Sequence, residues 1–243
     1  MDMEMIEELK KVKELEKDLK RFLMSYKFGL DELNTKINIL KQEFQYAHDY
    51  NPIEHVKSRI KTPESIMKKI HRKGGEFSVS SIKENIKDIA GIRIVCSFTS
   101  DIYNLSEMIQ KQKDVKTIKY KDYIKSPKPN GYQSLHLILQ VPVFMSDRVE
   151  DACVEVQIRT IGMDFWASLE HKIYYKYNKE VPQSLKDELR DAALFVSQLD
   201  RKMENLNKEV KKYKLEDKSE ENLIGEFMSN SNSYFPNSLL NLE

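Results

Sequence analysis

The chain has 243 residues, and its 40 basic side chains nearly balance 39 acidic ones, so no global field draws it to nucleic acid or to a membrane surface. A 33% charged fraction with only seven glycines and seven prolines favours long exposed helices over an all-β design. The two cysteines, Cys96 and Cys153, sit in apolar runs as small hydrophobes; two cysteines without a suitably spaced histidine pair exclude a zinc site. With neither a signal-peptide core nor an apolar run of spanning length, the expectation is a soluble cytoplasmic protein.

In chain order, the apolar residues Leu15, Leu19, Phe22, Tyr26, Leu30, Leu33, Ile37, Leu40 and Phe44 fall at steps of three and four. They predict one long helix, broken at most near Gly29, whose stripe packs on the chain's own core or on another subunit. His48–Asp49 reads as a polar helix end. From Lys57 to Lys73 seven cations (Lys57, Arg59, Lys61, Lys68, Lys69, Arg72 and Lys73) face one acid, Glu64. Thr62 is a possible cap, and Pro63 suits the first turn of a helix. On that helix Ser65 and Lys69 share a face, and Arg59 and Lys61 share a side if the preceding segment is extended. This is a polyphosphate site or a solvated basic face.

Ser81–Ala90 reads as a short helix and Ile92–Phe98 as a buried strand. Asp88, at the mouth of that strand, is placed to hold a cation or to serve as a turn residue. Asp101–Lys111 reads as a helix with Ile102, Leu105 and Ile109 inward, and Val115–Ile124 as a strand carrying Lys116, Lys119, Lys121 and Asp122. Pro129, Asn130 and Gly131 mark a turn that presents Tyr132 and His136. Leu135–Val143 and Ala152–Ile158 read as strands. In the second, Glu155, Gln157 and Arg159 alternate with Val154, Val156 and Ile158, so one face lines up a carboxylate, an amide and a guanidinium. Phe165, Trp166, Leu169 and Ile173 at helical spacing are expected as core contacts, with Glu170–His171 on the helix surface. A second long amphipathic helix carries Leu185, Leu189, Val196, Leu199, Met203, Leu206 and Val210. Beyond Lys214 the composition turns polar and weakly periodic, which predicts a tail that is mobile or ordered only by a partner.

No glycine-rich phosphate loop of either common pattern exists, so lysine and arginine side chains must bind any phosphates. Asp88 and Glu155 are expected on neighbouring strands, where they could share a divalent metal, and Tyr132 offers a ring face to a base. The residues alone thus point to a metal-dependent site for one or more nucleotides.

Four blocks carry a resemblance: NPIEHVKSRIKTPESIMKKI, DIAGIRIVCSF, YKDYIKSPKPNGYQSLH and VEVQIRTIGMDFWASLEHKIYYK. In this order, from about Asn51 to Lys176, they resemble the synthetase domain of the RelA/SpoT family, and the helical flanks resemble its small alarmone synthetases, nearest the RelP type. The resemblance implies an α/β (α+β) fold: a mixed β-sheet flanked by helices, related to nucleotidyltransferases. It implies transfer of pyrophosphate from ATP to the ribose 3′-oxygen of GDP or GTP, giving ppGpp or pppGpp and AMP in the stringent response. Arg59 and Arg93 match arginines that sandwich adenine, and Lys61, Ser65 and Lys69 match groups on the donor phosphates. Asp88 matches a Mg²⁺ ligand, and Glu155 matches the residue that binds Mg²⁺ or activates the 3′-hydroxyl. Tyr132 matches the aromatic stacked on guanine, with Lys128, Asn130 and His136 around the acceptor and Lys121 and Gln157 lining the same cleft. Lys119 stands where the long enzymes carry Arg, which leaves its role open.

The expected organisation is a helical region at 1–50 for packing or oligomerisation, the synthetase domain at 51–180, an amphipathic helix at 181–213 and a polar tail at 214–243. The residues before Arg59 are too few for the hydrolase half of the long enzymes, so synthesis without hydrolysis is expected. The resemblance also implies a homotetramer, with no requirement for nucleic acid or membrane. A second reading keeps the chemistry but places it on the 3′ end of tRNA. A third is a non-catalytic oligomer that binds nucleic acid or another partner.

Overall fold

A computed structural model describes residues 3–48, 50–76, 78–176 and 181–216. Asp49 and the predicted tail from residue 217 onward lie outside the described residues. Two compact units divide the chain, Met1–Asp200 and Arg201–Glu243. The first holds a five-stranded mixed sheet, β1 (Ile53–Ile60), β2 (Ala90–Cys96), β3 (Lys116–Asp122), β4 (Leu135–Phe144) and β5 (Val149–Thr160), in the order β1-β2-β5-β4-β3. β2 and β5 run parallel; the other neighbouring pairs are antiparallel. In the second unit the described residues, Arg201 to Glu216, are helical and end α6 (Gln183–Glu216).

Strict alternation in β4 and β5 explains the layering. Leu135, Leu137, Leu139 and Val141 of β4 join Val154, Val156 and Ile158 of β5 and Ile92 and Ile94 of β2 on one fully buried face. The helix α1 (Met3–Ala47) covers that face with Phe22, Tyr26, Leu30, Leu33 and Ile37, so the N-terminal stripe closes the chain's own core over this stretch. The helix α4 (Thr99–Gln110) adds Ile102, Leu105 and Ile109 to the same core. α1 continues unbroken through Gly29 because no side chain is wanted there: a Cβ would come within 2.5 Å of the Ala152 Cβ on β5.

Local signals set the shorter elements. Thr62 accepts a hydrogen bond from the Ser65 amide at 3.3 Å and Pro63 opens α2 (Pro63–Arg72), as the cap and proline predict. The helix expected over 81–90 is shorter, α3 (Val79–Asn85), and Ile86 turns to extended backbone. Ile82, Ile86 and Ile89 are all buried, so a helix-like spacing continues through a segment that is not helical. A second correction concerns α5 (Ile161–Lys176): Trp166 is buried with Met163 and Ala167, but Phe165, Leu169 and Ile173 are exposed. Only one side of α5 meets the sheet, and the i, i+4, i+8 stripe lies on the other. Leu185, Leu199, Met203, Leu206 and Val210 of α6 are exposed as well. Both cysteines are free, Cys96 buried and Cys153 half-buried. No described helix is long and apolar enough to cross a membrane.

The Gly29–Ala152 approach is testable. Gly29→Ala is expected to lower stability by about 1–2 kcal/mol through overpacking, although the same change at an open helical position would gain about 1 kcal/mol. Urea unfolding with an unchanged slope checks it, and a higher midpoint would show that the helix can withdraw from β5 without cost.

Candidate active site

The sheet face opposite α1 carries polar residues in register. One row across the five strands reads Lys57, Arg93, Gln157, His136, Lys121; the next reads Arg59, Gly91, Glu155, Ile138, Lys119. Glu155 and Gln157 therefore sit on the central strand. Arg59 and Arg93 lie on the β1–β2 side of it, and His136 and Lys121 on the β4–β3 side.

Asp88 stands two residues before β2, in the connection from α3, rather than on the strand itself. Its Oδ2 accepts hydrogen bonds from Lys61 Nζ at 2.7 Å and Lys69 Nζ at 2.6 Å. Lys61 is held at the end of β1 by its backbone N–H on the Ile89 carbonyl, and Lys69 comes from α2. Burial pushes the Asp88 carboxyl up, but the two lysines outweigh it and hold the group below the usual carboxylate range. The other oxygen, Oδ1, is buried with no hydrogen-bond partner.

Glu155 accepts from Gln157 Nε2 at 2.9 Å through one oxygen and faces His136 Nδ1 at 3.5 Å with the other. Burial raises its pKa, while His136 and Gln157 lower it by more than burial and the nearby Asp88 charge raise it. Next along β5, Arg159 is only 4% exposed. Its guanidinium donates to the Tyr132 hydroxyl at 2.5 Å, to Gln157 Oε1 at 2.7 Å and to Asp164 Oδ1 at 3.1 Å. Asp164 also takes Arg93 Nη1 at 3.1 Å, which ties β2 to the first turn of α5.

The turn before β4 is built by Asn130 and Gly131. Asn130 Oδ1 accepts from the Tyr132 amide at 3.2 Å, and its Nδ2 donates to Glu170 Oε1 on α5 at 3.1 Å. Gly131 has φ +87°, a conformation that side chains other than glycine rarely adopt, and a Cβ there would strike Ala193. Tyr132 is consequently not lifted into solvent. It is half-buried against a small cluster of Trp166, Ala167 and Ala193, with its hydroxyl 2.8 Å from His136 Nε2. Lys128 Nζ and Arg159 Cζ lie 4.6 and 5.0 Å from its ring centroid.

A cavity of about 300 Å³ opens where these elements meet. Asp88 and Glu155 both line it, amid six lysines: Lys69, Lys73, Lys87, Lys119, Lys121 and Lys128. Among the described residues, Lys119, Lys121 and Lys128 have no carboxylate partner. Such a surplus of positive charge in a recess suits a polyanion. Among the described residues no group of three or more His, Cys, Asp or Glu is placed to share a metal ion. The two carboxylates, one with an unsatisfied buried oxygen, fit a hard divalent cation that keeps water or phosphate oxygens for its remaining positions.

Of the residues the sequence singles out, Lys69, Asp88, Lys121, Lys128, His136 and Glu155 meet in the cavity wall. Lys61 reaches it through Asp88, and Gln157 and Tyr132 stand directly behind Glu155 and His136. Arg59 flanks it across Gly91, and Ser65 sits exposed on the first turn of α2. Asn130 turns toward Glu170 instead. Sequence reasoning missed Lys87 and Tyr123 in the wall and Asp164 behind it; Lys73 reads there only as part of the basic cluster, and Arg159 only as the guanidinium of the β5 face. Tyr123 packs edge-on against His136 with centroids 5.1 Å apart, next to the tyrosine that the turn does announce.

Comparison with known proteins identifies the family and fold. The family model described as "Region found in RelA / SpoT proteins" matches residues 58–180. GTP pyrophosphokinase YwaC of Bacillus subtilis is 54% identical over 205 residues, 84% of this chain and 96% of that protein. The crystal structure of the small alarmone synthetase 1 from Bacillus subtilis bound to its product pppGpp has a TM-score of 0.75 at 36% identity, covering 80% of this chain and 98% of that one. The same synthetase bound to AMPCPP has a TM-score of 0.68 at 35% identity, covering 81% and 99%.

The Asp88 pair fixes the sign of a pH effect. Its carboxyl is more acidic folded than unfolded, so its contribution is complete at neutral pH and fades as pH falls below about 3.9 toward the lower folded value. Asp88→Asn is expected to cost about 2 kcal/mol at neutral pH. Urea unfolding of both proteins near pH 7 and near pH 3 should show that deficit shrinking in acid; a constant deficit would rule out the ion pair as its source.

Proposed function

The chain belongs to the RelA/SpoT family, and from this we infer that it is a GTP pyrophosphokinase, moving the β,γ-pyrophosphate of ATP to the 3′-hydroxyl of GDP or GTP. The observation that carries the reading is the division of the site by β5. The residues expected to hold the donor (Arg59, Lys61, Ser65, Lys69 and Arg93) lie on β1, β2 and α2 or at the β1–α2 junction. Those expected to hold the acceptor (Lys121, Lys128, Asn130, Tyr132 and His136) lie on β3, β4 and the turn before it. Glu155 stands on the strand between them, with Gln157 beside it.

Arg59 and Arg93 are diagonal neighbours on adjacent strands, a spacing suited to gripping the two faces of adenine. Lys61, Ser65 and Lys69 then face the donor phosphates. On the other side Tyr132 stacks on guanine once the long Lys128 side chain swings off its ring, and Lys121 and Lys128 meet the acceptor's phosphates. His136 and Gln157 lie on the acceptor's side, and Asn130 holds the turn that carries Tyr132 there. Asp88 and Glu155 would hold Mg²⁺, which would neutralise charge on phosphate oxygens.

In the reaction the acceptor's 3′-oxygen bonds to the β-phosphorus, the bond from that phosphorus to the α–β bridging oxygen breaks, and AMP leaves. The hydroxyl proton passes to Glu155 or to solvent. A carboxylate held below its usual range is a weak base, so proton transfer comes late and positioning with charge neutralisation carries most of the acceleration. Residues 51–180 form the synthetase domain, and the helices around it assemble a homotetramer in the cytoplasm.

The test is AMP release from labelled ATP with Mg²⁺ and GDP, GTP or deacylated tRNA supplied separately. Release that needs GDP or GTP is expected; labelling of tRNA would move the chemistry to another acceptor, and no turnover would leave a binding protein. Glu155→Gln and Asp88→Asn should each lower kcat about 100-fold or more, and a Glu155→Gln enzyme with near-normal turnover would end any essential role for that carboxylate. Chelation of the divalent ion should abolish turnover, with recovery on adding Mg²⁺.

A further inference from the structure

Arg159 has so far been only a neighbour of the site. It is almost fully buried, yet a charge is costly to bury unless every donor is used. Nη2 carries two N–H groups, and the structure spends them on two different acceptors, Tyr132 Oη and Gln157 Oε1. Nη1 goes to Asp164 Oδ1, and Nε lies 3.4 Å from Ser134 Oγ. A guanidinium only donates, so both of its Nη2 partners must accept, and that decides what each can do next.

Gln157 has one oxygen and one NH₂. With Oε1 turned to Arg159, Nε2 must point the other way, and it donates to Glu155 Oε2 at 2.9 Å. Tyr132 accepts from Arg159, which leaves its own proton for the ring nitrogen 2.8 Å away, His136 Nε2. A neutral imidazole that accepts at Nε2 carries its hydrogen on Nδ1, the nitrogen facing Glu155 Oε1 at 3.5 Å. The opposite tautomer would set a bare nitrogen lone pair against a carboxylate oxygen.

We infer that Arg159 is the positioning residue of this site, its Nη2 orienting two hydrogen-bond relays, through Gln157 and through Tyr132 and His136, that present an N–H to each oxygen of Glu155. One oxygen is thereby held by a fixed donor and the other is faced by one, on a carboxylate that lines the cavity. A lysine supplies a point charge rather than a planar fork and does not set both acceptors at once. The inference rests on the reading above, in which Glu155 meets the acceptor hydroxyl.

The relay makes a direct spectroscopic statement about His136. In protein with ¹⁵N-labelled histidine, at a pH that leaves the imidazoles neutral, His136 should show the Nδ1–H tautomer, with its signal among the five histidines identified by loss in His136→Gln. Arg159→Met should let the Tyr132 hydroxyl turn, and the tautomer signal should move toward a mixture. Should Arg159→Met fail to fold, Tyr132→Phe leaves the guanidinium in place and should release His136 in the same way. Kinetically, Arg159→Met should lower kcat about 10–100-fold with the KM for ATP within about twofold. Adding Gln157→Leu to it should cost less than about twofold more, against about tenfold for Gln157→Leu alone, because both act on one relay. An Nε2–H tautomer in the wild type, an unchanged signal in a folded variant, or multiplicative losses would each overturn the inference. Wild-type protein without turnover would instead defeat the pyrophosphokinase reading and leave the tautomer experiment intact.

Discussion

The site depends on the parallel pairing of β2 with β5. It sets Gly91 opposite Glu155 and Arg93 opposite Gln157. Because Gly91 has no side chain, nothing on β2 stands between Arg59 and Glu155 in that row, and the space beside the carboxylate stays open. The same pairing delivers Asp88, two residues upstream of β2, to the mouth of the cavity. Parallel strands cannot be joined by a tight turn, and the chain between these two supplies α4, β3, the Lys128–Tyr132 turn and β4. The crossover that parallel geometry demands is thus the segment that supplies Lys119, Lys121, Tyr123, Lys128, His136 and Ile138 to the cavity wall.

The electrostatics follow from where charge is satisfied and where it is left over. Asp88 accepts two lysines on one oxygen and none on the other, while Glu155 is held by an amide and faced by an imidazole. Both remain ionised, so neither cancels more than its own unit of the six-lysine wall. Lys73 and Lys87 rest on backbone carbonyls of Asn85 and Lys83, which position them without neutralising them. The recess thus keeps a net attraction for anions although the chain as a whole is close to neutral.

Much of this was legible in the sequence where a local rule decided the outcome. The period-2 alternation of β5, the Thr62–Pro63 helix start and the Pro129–Gly131 turn each rest on a local constraint that tertiary packing left in place. What failed were features settled by packing. Arg159 reads as one more polar residue on a strand face, because nothing in the sequence shows that Tyr132, Ser134 and Asp164 close over it. Phe165, Leu169 and Ile173 have a core-like spacing, but α5 joins the sheet core through Met163, and Trp166 packs with Ala193 of α6. The buried isoleucines at 82, 86 and 89 extend a helical period through a loop, since burial imposes spacing on any segment that crosses a core. Tyr132 reads as an aromatic presented on a turn, but it is half-buried, since Ala193 and Trp166, which cover it, come from helices far along the chain.

Along β5, core and chemistry take alternate residues: Val154, Val156 and Ile158 inward, Glu155, Gln157 and Arg159 outward. The strand therefore carries two messages in one reading frame. A slip of a single residue would drive a carboxylate, an amide and a guanidinium under α1 and turn three branched aliphatics toward the nucleotides. An insertion or deletion inside this strand would therefore disrupt core and site together, which no single substitution in it does. A change of length would disturb this register least in the β4–β5 hairpin, where Ser146 and Asp147 lie between the strands.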